Sequence, residues 1–438
     1  MSMSIVSIEN RIVPSVLKSR RKAQADCMFV LGVLSTFILF FNIKVAGISM
    51  FKFTAFGFGT YIGVKNRGKI KKSLLKYEYM PYFAVTIISS ILIMAGDSPY
   101  KEYSIRSLID FFFIIYLCLM VATCNNIKLR SFFNGIRVSC YVQIAWCFFQ
   151  IAFWYVLHVD INKAIFVDGL HLMESVSKYN NNGVLCISGI SHHPSNLIVV
   201  IIFTLFLVKS AWKWPICAII ALASRNSTTL IAIIVCVFLY LVPSITQFYK
   251  KRKISKRRLL VVVIAVVVIF AFIFSGGDEI ANRIGEVLFR IQSAYNGTAY
   301  DGSTIAHASY YTFLPKVWER FSTIEKLFGY SYGWTGGMFY YFFGSQYSLI
   351  FTRPTINWGV ESDPMNLVYS IGIIGAIVFY WWLLKIALKG KNLNNCYLLM
   401  ILCLVAAGIF YCIQYSLVIV IEVALTVAIH RNIDIFAV

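Results

Sequence analysis

The sequence predicts an all-α polytopic membrane protein of about twelve transmembrane helices, and three observations predict it. The 438 residues are 59% hydrophobic and only 13% charged. Apolar runs long enough to cross a bilayer recur from one end of the chain to the other. The basic residues collect in short links between those runs, as in "KNRGKIKK" (Lys65 to Lys72) and "KKRKISKRR" (Lys250 to Arg258). A soluble chain of this size needs far more polar surface, and no stretch reads as a separate soluble domain. The N-terminus lacks a cleavable-signal layout, because the basic residues from Lys18 to Lys22 precede a full-length apolar run.

The expected spans are 27–44, 46–63, 79–96, 107–124, 138–157, 195–209, 211–224, 227–246, 259–275, 367–384, 395–411 and 415–430. The second carries Lys52, and the seventh is short for a full crossing. The net charge of +21 would suit a nucleic-acid partner, but its distribution argues against one. With the N-terminus inside, the inner segments hold most of the 40 Lys and Arg residues. Shifting the phase by one span would expel the two densest basic clusters, against the positive-inside rule. The expected location is therefore a membrane with the basic links on its cytoplasmic side, with membrane lipids as partners and no nucleic acid. Nearly all of the eleven cysteines lie inside apolar runs. That excludes a disulfide framework, and no CxxC pair or HExxH spacing suggests a metal. No metal or other cofactor is expected.

Two external segments are long, 158–194 and 276–366, the second lying before the tenth span. Loops of that length are usually functional. The larger one is rich in aromatics, including "YSYGW" (Tyr330 to Trp334) and "FYYFF" (Phe339 to Phe343). "HASYYTFLPKVWERF" (His307 to Phe321) reads as a helix lying on the membrane surface. The aromatics either seat in the interface or form a platform for sugar rings, with Tyr330 and Trp334 as candidates.

Three local patterns could carry chemistry. "ALASRNSTTLIAIIV" (Ala221 to Val235) sets Arg225 among small polar residues at an outer boundary. It is either a snorkelling cation or the rigid donor fork of an anion site. "SGISHHPSNLIVV" (Ser188 to Val200) brings His193 and Asn196 to the start of the sixth span, where Ser195 or Asn196 could cap the helix. "NWGVESDPMNLVYSIGIIGAIVFYWWLL" (Asn357 to Leu384) puts Glu361 and Asp363 at the mouth of the tenth. Asp363 before Pro364 has the form of an N-cap with proline at N1, whereas Glu361 lies outside such a cap and could serve as a general base. Gly372 and Gly375 offer a small-residue face for helix packing. Arg290, His307, Arg320 and Arg353 are the remaining charged candidates in the large loop.

The order of these features resembles bacterial O-antigen polymerases of the Wzy type and the related O-antigen ligases. The likeness spans most of the chain. It rests on the many spans, the large late loop, and "HHPSN", "SRNS" and "FGYSYG…ESDPMNLVYSIGIIG" in that order. It implies a membrane fold of the GT-C type and a metal-independent, inverting glycosyltransferase acting at the periplasmic face. The donor would be a growing glycan on undecaprenyl diphosphate, the acceptor a second lipid-linked oligosaccharide unit, and a chain-length regulator a further partner. In the ligases a His stands eleven residues before the first Gly of the final motif; here Glu361 does, counted from Gly372. That departure favours polymerase over ligase. Family members often carry an Arg about twenty residues before the "FGxG"-like turn. Counting back from Gly329 reaches His307 and Ser309 instead. Arg290 or Arg320 would substitute, or His307 take the role. Arg225 would stabilise the leaving diphosphate, and Glu361 or Asp363 would act on the acceptor hydroxyl. A ligase is the alternative, and a flippase for lipid-linked oligosaccharide a further one, although no internal repeat is visible.

Overall fold

A computed structural model describes residues 27–36, 44–45, 48–73, 77–96, 101–171, 178–179, 183–191, 193–226, 229, 233–234, 236–239, 311, 314–330, 335, 338, 341–342, 360–413 and 418–436. Over those residues the chain is mostly helical. Residues 27–34 are helical. A two-residue hairpin, β1 (Lys44–Val45) and β2 (Ile48–Ser49), leads into α1 (Met50–Ser73). Then come α2 (Met80–Ala95), α3 (Lys101–Ala122) and α4 (Asn126–Leu157). The predicted spans at 79–96 and 107–124 thus match helices in place. The basic link "KNRGKIKK" is instead the last part of α1, and α4 starts twelve residues before the predicted boundary at 138. Both extensions have one cause: Lys, Arg and Asn break an apolar run but not a helix. Lys52 is explained by an ion pair with Asp110 of α3.

After α4 come a single wide turn (Lys163–Gly169) and a second hairpin, β3 (Lys178–Tyr179) with β4 (Leu185–Cys186). A 3₁₀ turn (Pro194–Asn196) opens α5 (Leu197–Leu207), and α6 (Lys213–Ala223) follows. These two helices, predicted as spans, have 11 residues each, or roughly 16 Å, about half of a bilayer core. The described part of the large loop contains α7 (Leu314–Arg320) and α8 (Thr323–Phe328), the latter closed by a capping box between Ser322 and Glu325. The C-terminal part is α9 (Asp363–Leu393), α10 (Asn395–Phe410) and α11 (Val418–His430). Most of the predicted spans at 227–246 and 259–275 lies outside the described residues.

α9 packs on α10, α8 and α2; α3 takes α1, α2 and α11; α5 bridges α4, α6 and α10. The core between α2, α3 and α9 is aromatic, with Tyr79, Tyr82, Phe83, Phe111, Phe379 and Trp382 all buried in ring contact. The outward faces are apolar too. On α9, Ile373, Ile377, Trp381, Leu384 and Leu388 recur at helical spacing and are all exposed. α4 and α9 are each long and apolar enough to cross a membrane.

One helix is broken. Gly372 in α9 adopts φ 72°, which glycine tolerates and other residues resist. Gly329, after α8, has φ 78°, and the two backbones touch. A Cβ on Gly372 would sit 2.3 Å from the Leu327 carbonyl; one on Gly329 would sit 2.3 Å from the Ile371 nitrogen. The carbonyls freed by the break are satisfied from outside the helix: Tyr330 N–H donates to Tyr369 (2.8 Å) and Ser89 Oγ to Ser370 (3.2 Å). So Gly372 serves this crossing and not the small-residue face predicted with Gly375, whose own Cβ would meet Ile371 of the same helix.

Candidate functional site

The site lies where α4 finishes and α9 begins, here termed the loop end of the bundle. Buried amides of α4 organise it. Gln150 Oε1 accepts from the N–H groups of Ser188 and Gly189 (3.2 and 2.7 Å), and Gln143 Oε1 accepts from Ile190 (2.8 Å). Asn162, held by Trp146 Nε1 (2.7 Å), donates to Ser188 Oγ and the Gly189 carbonyl. A turn with no regular structure is thereby fastened to a helix, as a buried backbone requires.

That turn delivers His193. Its Nδ1 accepts from Ser195 N–H (3.3 Å), so the histidine caps the 3₁₀ turn; the predicted caps, Ser195 and Asn196, are engaged elsewhere. Ser195 Oγ accepts from Asn226 Nδ2 (2.8 Å). Asn196, buried, donates to Ser191 Oγ and accepts from the Tyr411 hydroxyl, both at 2.6 Å. Arg225 follows α6 in the left-handed region (φ 50°), an unusual conformation for a residue with a long side chain. It turns the guanidinium toward the end of α4, where Nη2 meets the Tyr155 hydroxyl at 3.5 Å. Such sparsely populated backbone geometry often accompanies function. β3 adds Lys178, whose Nζ lies 3.4 Å from His193 Nε2, and Tyr179, whose hydroxyl donates to Asp160 (2.7 Å).

The two acids at the head of α9 part company. Glu361 is partly buried and lies near Tyr411, whose hydroxyl donates to Asn196. Asp363 is 3% exposed. Ser362, not Asp363, precedes the helix, and no side-chain capping bond is made there. Instead, Asp363 Oδ1 accepts from Ile413 N–H (2.9 Å) and Oδ2 lies over Gly408, where a Cβ would approach to 2.3 Å. The predicted N-cap is therefore a tie between α9 and the segment after α10, and its carboxylate points into the bundle.

The large loop joins at Ser362, whose Oγ lies 2.8 Å from the Tyr311 hydroxyl, and at Asn366, which accepts from Thr335 Oγ1 (3.1 Å). Tyr330 is 4% exposed and packed among Phe321, Tyr341 and Phe342. Its ring is core, not the open sugar platform considered above. Arg320 stands exposed at the end of α7. Arg290, His307, Trp334 and Arg353 lie outside the described residues.

Of the predicted residues the fold therefore brings together Arg225, His193, Asn196 and Glu361. Sequence reading missed Lys178, Tyr155 and Tyr411. A lone lysine in a long external loop, and tyrosines in the last turns of apolar runs, were the signals available. It also missed Glu422, an acid in the middle of an apolar run and thus a default functional candidate. Among the described residues no group of three or more His, Cys, Asp or Glu could hold a metal ion. No protein-family model matches the chain, and no curated protein matches it.

Proposed function

We propose that this chain is a polytopic inner-membrane glycosyltransferase of the GT-C type with about twelve spans. It joins undecaprenyl-diphosphate-linked oligosaccharide repeat units into long polysaccharide at the periplasmic face, in the manner of an O-antigen polymerase. The membrane setting is supported by the exposed apolar stripe on α9 and by the two helices of spanning length. One observation carries the chemistry: polar groups from six stretches of chain converge at one end of an apolar bundle, with Lys178 beside His193, Arg225 beside Tyr155, and Glu361 near Tyr411.

That arrangement suits transfer from a lipid diphosphate. The acceptor hydroxyl attacks the anomeric carbon, and the bond from that carbon to the diphosphate oxygen breaks. The electron pair leaves on the diphosphate, where Arg225 offers a rigid donor fork and Lys178 a second cation. The hydroxyl proton passes to Glu361. Asp363, turned inward, is left out of this scheme. The length-regulating partner remains an expectation of the resemblance.

The break at Gly372 and the buried Glu422 are features that lipid-linked oligosaccharide transporters also use, which favours a flippase as second reading. A lipopolysaccharide gel from a strain lacking the protein separates the readings. Core bearing one repeat unit and no ladder supports the polymerase. Bare core with polymer left on its carrier means a ligase, and bare core with single units stranded on the carrier means a flippase. Arg225→Ala should reproduce the ladderless pattern while the protein still accumulates; a full ladder from that variant would remove Arg225 from the site.

A further inference from the structure

The mechanism above leaves unused the most deeply buried acid among the described residues. Glu422, in the first half of α11, is 2% exposed, and its Oε2 has no hydrogen-bond partner among the described residues. It faces a narrow cleft lined by Asp363, Phe379, Tyr380, Leu383, Leu404, Val405 and Ile413. Tyr380 puts a hydroxyl, also without a partner among the described residues, into the same cleft. Among the described residues, the titratable groups facing Glu422 are Asp363 and Tyr380 from α9 and Cys118 from α3; α10 contributes apolar leucine and valine. The charged group among them is another acid.

Ionising both carboxylates of one apolar cleft is costly, because each loses its water and each repels the other. Asp363 Oδ1 accepts from the Ile413 N–H, whereas Glu422 Oε2 has no partner among the described residues, so Glu422 is the acid that takes the proton. Asp363 also connects the cleft to the outside. It lines the cleft with Tyr380 and Glu422, and its Oδ1 holds the Ile413 N–H, two residues from Tyr411, which bonds Asn196 at the loop end. Gly408 leaves the space that the Asp363 carboxylate occupies.

We propose that Glu422 and Asp363 form an intramembrane site for one exchangeable proton, loaded from the loop end past Tyr411. Loading takes a proton from water at that end to Glu422 Oε2 and changes the pair from two negative charges to one. Intramembrane acid pairs of this kind serve as proton relays in energy-coupled membrane proteins. The site stands whether the chain polymerises or transports glycan.

A hydrophobic carbodiimide tests it, since the reagent adds across a protonated carboxyl within the membrane and leaves a stable N-acylurea. Full-length protein in phosphatidylethanolamine–phosphatidylglycerol vesicles is labelled between about pH 5 and pH 9, and its peptides are weighed. Label on Glu422, rising as pH falls, is the expected result. In Asp363→Asn the neighbouring charge is gone, and the midpoint for Glu422 should move down by about one pH unit or more. No label on Glu422 at any pH overturns the proposal, as does a midpoint unmoved in Asp363→Asn. Protection by sodium at constant pH would overturn it in favour of a metal-cation site.

Discussion

The two ends of the helix bundle use similar residues for different work. At the end where the chain finishes, cations are spent on backbone. Arg431 donates to the carbonyls of Cys124 and Ala122 (the latter at 2.9 Å), completing the open end of α3. Arg137 reaches the carbonyls of Leu207, at 2.9 Å, and Ile435. His430 lies 2.6 Å from Glu78 and 3.1 Å from Lys389 Nζ. Tyr397 closes on the Ile433 carbonyl at 2.6 Å. This end is a clamp. At the loop end, amides and hydroxyls do the fastening, through Gln143, Gln150, Asn162 and Asn226, and the cations stand over it. Arg225 meets a neutral hydroxyl at long range. A cation whose donors fill helix-end carbonyls is structural, whereas Arg225, partly exposed at the loop end, reaches a side-chain hydroxyl there.

Substitutions at the two ends test that contrast. The largest effect is expected at the crossing of α8 and α9. Gly372→Ala forces a Cβ into the Leu327 carbonyl from a positive-φ position, and a loss of about 3–4 kcal/mol is expected, read as poor accumulation or a much lower unfolding midpoint in micelles. Normal stability there would mean the two backbones do not touch. Next comes Arg225→Ala, expected to cost roughly a hundredfold or more in polymer formation while changing stability by about 0.5 kcal/mol or less. Arg431→Ala should show the opposite profile. About 2 kcal/mol of stability is lost with two charge-assisted bonds, and activity per folded molecule is retained. If Arg225 and Arg431 exchanged these signatures, the division between clamp and site would fail. The smallest effect is expected from Asn226→Ala, which removes the bond to Ser195. A loss of about 1 kcal/mol is expected, and the measurement is whether it falls on turnover or on melting.

Much of the helical layout was legible in advance, because apolar runs and helices share one cause: buried backbone in an apolar setting bonds within its own segment. α2 and α10 fall where their runs do. Boundaries were less legible where polar residues sit comfortably in a helix, as in the basic end of α1. At the site, Arg225, His193 and Glu361 were visible as polar residues at the ends of apolar runs. Lys178 and Tyr411 were not, because their meaning lies in contacts with His193 and Asn196 far away in the chain. The burial of Tyr330 was not legible for the same reason, since an aromatic in a loop carries no mark of whether it faces water or packs.

The sequence by itself determined that the chain is helical and apolar, with its basic residues in the breaks between apolar runs, because composition and periodicity act locally along the chain. Only the packing of helices buried Asp363 and left Glu361, two residues earlier, partly exposed. It also decided that Gly329 and Gly372 meet, and that Glu422 looks at Asp363. Those outcomes depend on which helices touch, and a residue's charge and proton are set by the groups the fold brings within reach.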